Sequence, residues 1–235
     1  VELTGKLHKG VTGKDVIIIL CGLFNNDEIL NHVLEFNGDG ISGLSVDERL
    51  SIANMTTEWG ALAGVFPIDK VTIAWLGNRT EFISNRGLEG VPSDSDGEKG
   101  NHPRMNAQRI EALQNNPLKA DEDAFYTKVI QLNLCSVTPH ISGPNHVKTM
   151  TNIIDALEPN IKIDKAYLVS CVNSRVEDLS EAANTIKGQK IAAGVEFYIA
   201  AASSEVQAES EKRGDWQILI DAGATPLPPG GGPCI

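Results

Sequence analysis

Short apolar runs separated by polar, turn-forming stretches organise this chain. Four of them, at 33–36, 129–134, 166–171 and 195–201, are bounded by turn residues and are predicted strands. Helices announce themselves by their starts, where Ser or Thr followed three residues later by an acid or amide satisfies free backbone N–H groups reciprocally. Thr12 with Asp15 predicts a helix over 16–23, and Ser45 with Glu48 one from Arg49 to Gly64. Ser174 with Glu177 predicts one to Lys187, and Ser204 with Gln207 one to Arg213. Gly188 and Gly214 stand where left-handed C-terminal caps are wanted. From Lys165 onward the order is strand, helix, strand, helix, then a Pro/Gly loop, the pattern of a parallel sheet covered by helices. Residues 84–123 are polar and read as a surface insertion in which only 105–113 has helical spacing. The turn-rich 139–145 stretch reads as a linker.

Composition narrows the function classes. The 235 residues are 41% hydrophobic, enough to bury a core. Lys and Arg total 20 against 31 Asp and Glu, a net charge of −11. That excludes a generic phosphate-binding surface, so nucleic acid is not an expected partner, while a small anion in a local pocket remains allowed. The longest apolar run, Val16 to Phe24, is far short of the ~20 residues that span a bilayer, so no membrane partner is expected. Cysteines at 21, 135, 171 and 234 are too sparse for a disulfide scaffold and point to a reducing compartment. The opening on Val1 and the stop after a proline- and glycine-rich turn read as a piece of a longer chain.

Gly38-Asp39-Gly40-Ile41-Ser42-Gly43 matches a dinucleotide fingerprint literally and follows a predicted strand. The helix it should open begins only at the Ser45 cap, after the last glycine, so a plain turn is the expectation. Asn54 and Glu58 are four apart and share a helix face. That face is either simply solvated or set to a task, and Met55, Trp59, Leu62 and Phe66 suggest a helix largely surrounded by protein, where a carboxylate needs a partner. Cys171 ends a predicted strand just before the Ser174 cap, at the carboxyl edge where open α/β sheets bind ligands. Cys234 follows three glycines that let backbone approach a bulky inorganic group. Cys21 and Cys135 fall in apolar patterns and are assigned to core packing.

Three stretches carry a resemblance: Asn54-Met-Thr-Thr-Glu58-Trp-Gly-Ala-Leu-Ala-Gly, Ser170-Cys171-Val-Asn-Ser-Arg175 and Leu227-Pro-Pro-Gly-Gly-Gly-Pro-Cys234-Ile. Together they resemble the aconitase and isopropylmalate isomerase superfamily. Tyr198-Ile-Ala-Ala-Ala-Ser203, Gly214-Asp-Trp216 and Asp221-Ala-Gly-Ala224 make the chain similar to its fungal homoaconitase branch. The resemblance implies α/β architecture of aconitase-like three-layer α/β/α domains with largely parallel sheets, only part of the full enzyme being present. It divides the chain into a second α/β domain at 1–123, a connecting segment at 124–160, and the first half of a cluster-carrying third domain at 161–235.

It further implies a mitochondrial matrix hydro-lyase acting on a small tricarboxylate, with a [4Fe–4S] cluster as Lewis acid. Homocitrate and homoisocitrate, interconverted through cis-homoaconitate in lysine biosynthesis, are the implied substrates. Isopropylmalate isomerase, aconitate hydratase and a cluster-free binding relative are the alternatives. Carried over by motif, Cys171 and Cys234 are cluster ligands, Asn54 and Glu58 line the site as catalytic residues, and Asn173 and Ser174 contact substrate. The remaining domains of the parent enzyme would be the chain's partners, supplying substrate-binding arginines and a serine base. Two departures stand out. Gly231 occupies the position of the first cysteine of the last motif, leaving two of three protein thiolates, and Val172 replaces the usual Thr after the first ligand.

Overall fold

The computed structural model describes residues 1–87, 102–157 and 161–232. It divides into two compact units, 1–152 and 153–235. In the first, β1 (Glu2–Thr4), α1 (Gly13–Leu23), β2 (Val33–Glu35), α2 (Val46–Trp59), β3 (Ala63–Val65), α3 (Lys70–Arg86) and α4 (Ala107–Asn115) precede β4 (Gln131–Asn133), β5 (His140–Ser142) and β6 (Met150–Asn152). The second contains α5 (Ile153–Leu157), β7 (Lys165–Leu168), α6 (Val176–Ile186), β8 (Glu196–Ile199), α7 (Ser204–Arg213), α8 (Asp215–Ala222) and β9 (Thr225–Pro226). Among the described residues no helix is long and apolar enough to cross a membrane.

In the first unit β4 pairs with β1 and β2 with β3, both parallel. A bridge between Glu2 and Asn37 joins the pairs into the order β4-β1-β2-β3. Helix α1 carries the longest apolar run and is buried almost all round, packed by α2 and by the antiparallel β5–β6 hairpin. Its expected cap is present: the Asp15 carboxylate accepts from the Thr12 N–H at 2.9 Å. The same buried carboxylate accepts from the His140 N–H at 2.9 Å, so the helix start also anchors the hairpin. The 139–145 stretch expected to be a linker therefore lies inside the first unit, and 124–152 supplies three of its strands rather than a free connection.

The glycine turn is a packing device. Residues Asp39–Gly43 form a single 3-10 turn, and the helix starts afterwards at the Ser45 cap, as expected. Gly38 has φ of +100°, and a Cβ there would lie 2.2 Å from the Leu3 carbonyl oxygen. The glycine lets the turn press onto β1 backbone, where no side chain would fit.

Several boundaries differ from expectation. Helix α2 ends at Trp59 because Gly60 turns left-handed and its N–H closes on Thr56 and Thr57 carbonyls. Helix α3, not foreseen, starts at Asp69, whose side chain accepts from the Thr72 N–H at 3.0 Å, and runs into the expected insertion. Cys21 is buried, but Cys135 is exposed: it sits in a 3-10 turn after β4, where its sulfur accepts from the Lys6 N–H at 3.5 Å.

In the second unit β7, β8 and β9 are parallel and in that order. Leu179 and Ala183 of α6, Leu219 of α8 and Ile199 of β8 are fully buried together. The opposite sheet face carries Lys165, Tyr167, Glu196 and Tyr198, with the two tyrosine rings stacked at 5.2 Å. Helices α6 and α7 begin one residue away from the expected caps. Arg175 takes the α6 cap with Asp178, because Ser174 is committed elsewhere, and Ser203 caps α7 by accepting from the Val206 N–H at 3.2 Å.

Candidate functional site

A parallel sheet brings the carboxyl ends of all its strands to one edge, and the loops there are the usual ligand site of an open α/β layer. In the second unit that edge gathers three segments. Strand β7 ends at Leu168, three residues before the expected end at Cys171, so the cysteine lies in the loop and is exposed. The segment after β8 lies at the centre. Its Ala202 N–H donates to the Ser174 carbonyl at 2.9 Å, and its Ala201 carbonyl accepts from the Gly230 N–H at 2.8 Å. Both the Cys171 loop and the Gly230-Gly231-Gly232 loop are thus tied to adjacent residues of one connecting strand.

The Cys171 loop is held tightly. Ser170 has φ of +106°, a region costly for a residue with a side chain, and its hydroxyl accepts from the Val172 N–H at 3.2 Å. Arg175 reaches back to donate to the Cys171 carbonyl at 3.4 Å. Ser174, expected to touch substrate, is completely buried, and its hydroxyl donates to the Leu168 carbonyl at 3.2 Å. It therefore acts as a strut between the strand end and the loop, while the half-buried Asn173 is the more open of the two. Ser174→Ala should cost about 0.5–1.5 kcal/mol, the net worth of one hydrogen bond, because the Leu168 carbonyl keeps the Ala200 N–H at 3.0 Å; urea unfolding measures it. The Arg175 to Asp178 spacing was the available signal for the true cap, and it was masked by the stronger capping propensity of Ser174.

Asn54 and Glu58 lie in the first unit. Helix α2 buries Ile52, Met55, Thr56 and Trp59 and leaves Asn54, Thr57 and Glu58 exposed along one strip. Met55 and Trp59 are buried as expected, but the exposed Asn54, Thr57 and Glu58 make this helix two-faced rather than surrounded, and Leu62, beyond its end, is 66% exposed. The Glu58 charge is felt inside the unit. Burial first, and then Glu58, push the Cys21 thiol up to about 12, which keeps it protonated and inert at neutral pH. The structure thus brings Asn54 and Glu58 together on one helix face, and Cys171, Asn173, Ser174 and Gly231 together at one sheet edge. Cys234 lies outside the described residues.

The whole chain, residues 1–235, matches the model of the aconitase family, described as aconitate hydratase. The chain belongs to the aconitase family. It is 54% identical to a protein named mitochondrial homoaconitase from Mycosarcoma maydis, over 100% of this chain and 32% of that protein. Proteins of the same name from Debaryomyces hansenii and Candida albicans are 52% and 53% identical, again over 100% of this chain and 32% of theirs. The chain thus spans about a third of the length of these curated relatives.

Membership of the aconitase family makes the donor set for an iron–sulfur cluster the next test. Among the described residues no three His, Cys, Asp or Glu side chains gather where they could hold a metal ion. In sequence the second unit has two cysteines, Cys171 and Cys234. The residues present do not fit a cluster held by three protein thiolates.

Proposed function

We propose that the longer protein containing this chain is a mitochondrial hydro-lyase of the homoaconitase type, converting homocitrate to homoisocitrate through cis-homoaconitate in lysine biosynthesis. The observation that carries this reading is identity of 52–54% to mitochondrial homoaconitases along the entire chain. The open strip of α2 supports it. The Asn54 amide can both donate to and accept from a substrate hydroxyl or carboxylate, and the Glu58 carboxylate can accept a hydroxyl proton. Asn173, at the sheet edge of the second unit, is an amide of the same donor and acceptor chemistry. Cys171 and Cys234 are the two thiols this chain offers toward the family's cluster, one fewer than the family resemblance calls for, so hydro-lyase turnover is expected of the form in which a third thiol is restored. The other domains of the parent protein complete the tricarboxylate site.

Substrate preference tests the reading. Homocitrate exceeds citrate by one methylene, a difference worth about 10–200-fold in a fitted pocket. The full-length Gly231→Cys variant, which restores the third thiol, should favour homocitrate and cis-homoaconitate over citrate and 3-isopropylmalate by at least about tenfold in kcat/KM. Equal or reversed preference would refute it. In the same background Glu58→Gln should lower kcat by about 10²-fold with KM little changed.

A further inference from the structure

The three glycines of the last loop are not equivalent. Gly230 has φ of +117°, where a side chain is strained, and its N–H is used by the Ala201 carbonyl. Gly231 is not among the glycines with positive φ, and a Cβ added to it meets nothing within 4 Å among the described residues. Among the described residues, neither backbone conformation nor packing calls for glycine at 231. The loop has room for a side chain at the carboxyl edge, where the Cys171 loop also lies.

The other thiols of the chain do not replace the missing one. Cys21 is fully buried, with its thiol pushed up to about 12 by burial and by Glu58. The Cys135 sulfur is engaged in its own turn, where it accepts from the Lys6 N–H at 3.5 Å. No carboxylate or imidazole cluster among the described residues stands in either. Resting on the homoaconitase reading above, we infer that residue 231 is an emptied ligand position: the native protein does not retain a [4Fe–4S] cluster, and a single thiol at 231 restores it. With two protein thiolates, two irons of a cubane depend on exchangeable ligands instead of one, and iron is lost to solvent or chelator.

The test uses the full-length protein in four forms: native, Gly231→Cys, Gly231→Ala and the double variant Gly231→Cys/Cys171→Ser. Each is loaded anaerobically with ferrous iron and sulfide, desalted, and read by iron and sulfide content, by electron paramagnetic resonance after mild oxidation, and by circular dichroism. Gly231→Cys should keep the cluster, while the other three, equally folded, keep less than about a tenth as much. Gly231→Ala separates the thiol from a mere change of backbone flexibility. A native protein that holds a full cluster after desalting overturns the inference and leaves the homoaconitase reading standing. If no form holds a cluster although all are folded, the inference falls together with the assignment of this edge as the cluster site. Homocitrate binding by calorimetry, measured on the same samples, then shows whether the substrate reading survives.

Discussion

Arg49→Ala is expected to cost the first unit about 2–4 kcal/mol, because Arg49 is buried while its partner Asp69 keeps 29% side-chain exposure and so part of its hydration. Arg49 is 3% exposed at the start of α2 and holds Asp69 through both guanidinium ends, each at 2.8 Å. The same guanidinium donates to the Ile41 carbonyl at 2.8 Å and the Leu44 carbonyl at 3.2 Å. One side chain therefore ties the glycine turn, α2 and the cap of α3 together, and its loss removes the charge partner of Asp69 and a donor to the Leu44 carbonyl, while the Ile41 carbonyl keeps the Leu44 N–H at 3.0 Å. Asp69→Asn should cost less, because the amide oxygen still caps α3 and Arg49 still reaches the two carbonyls. Chemical unfolding of the two single variants and the double variant gives the coupling energy.

The pair also sets an acid response. Burial of Asp69 acts to raise its pKa, but hydrogen bonds from Arg49 and from the Thr72 N–H, with the Arg49 charge, outweigh it and bring the carboxyl from 3.8 down to about 2. A depressed folded-state value means the contribution is complete above 3.8 and is lost as pH falls toward 2. Native protein should lose stability through that window more steeply than Arg49→Ala, and parallel acid titrations of the two would contradict the assignment.

Trp59→Ala should be comparably severe, about 3–5 kcal/mol for an emptied aromatic site. The indole is 1% exposed, lies 6.3 Å from the Phe24 ring, and its Nε1–H donates to the Phe24 carbonyl at 2.7 Å. Trp59→Phe keeps much of the volume and should cost about 1–3 kcal/mol, chiefly the unsatisfied carbonyl. The functional consequence comes from position. Trp59 anchors the end of α2 next to Glu58, so, on the homoaconitase reading proposed above, Trp59→Ala should also weaken homocitrate binding in the full-length protein, while Trp59→Phe should not. Equal effects of the two on binding would show that indole volume does not position Glu58.

Local chemistry was legible wherever one residue type answers one backbone need. The Thr12–Asp15 and Ser45–Glu48 boxes open helices where the spacing placed them, and 33–36 and 195–201 contain β2 and β8. The fold class and the aconitase family were equally readable, because Asn54 to Gly64, Ser170 to Arg175 and the last proline- and glycine-rich loop keep enough motif to identify the chain. The absence of a third cysteine in the second unit is also a fact of sequence alone.

What needed tertiary structure were the positions where two distant segments compete for one group. Ser174 has the chemistry of a cap, yet the Leu168 carbonyl takes its hydroxyl and Arg175 caps instead. The turn-rich 139–145 stretch has the composition of a linker, yet Asp15, 125 residues earlier, recruits His140 and makes part of it a strand. Gly38 and Gly231 look alike in sequence. Only the 2.2 Å approach of the Leu3 carbonyl to one, and the lack of any neighbour among the described residues within 4 Å of a Cβ on the other, separates the two. Spacing along a chain encodes local hydrogen bonding, whereas close approach between remote backbones is decided only when the sheet and helices pack.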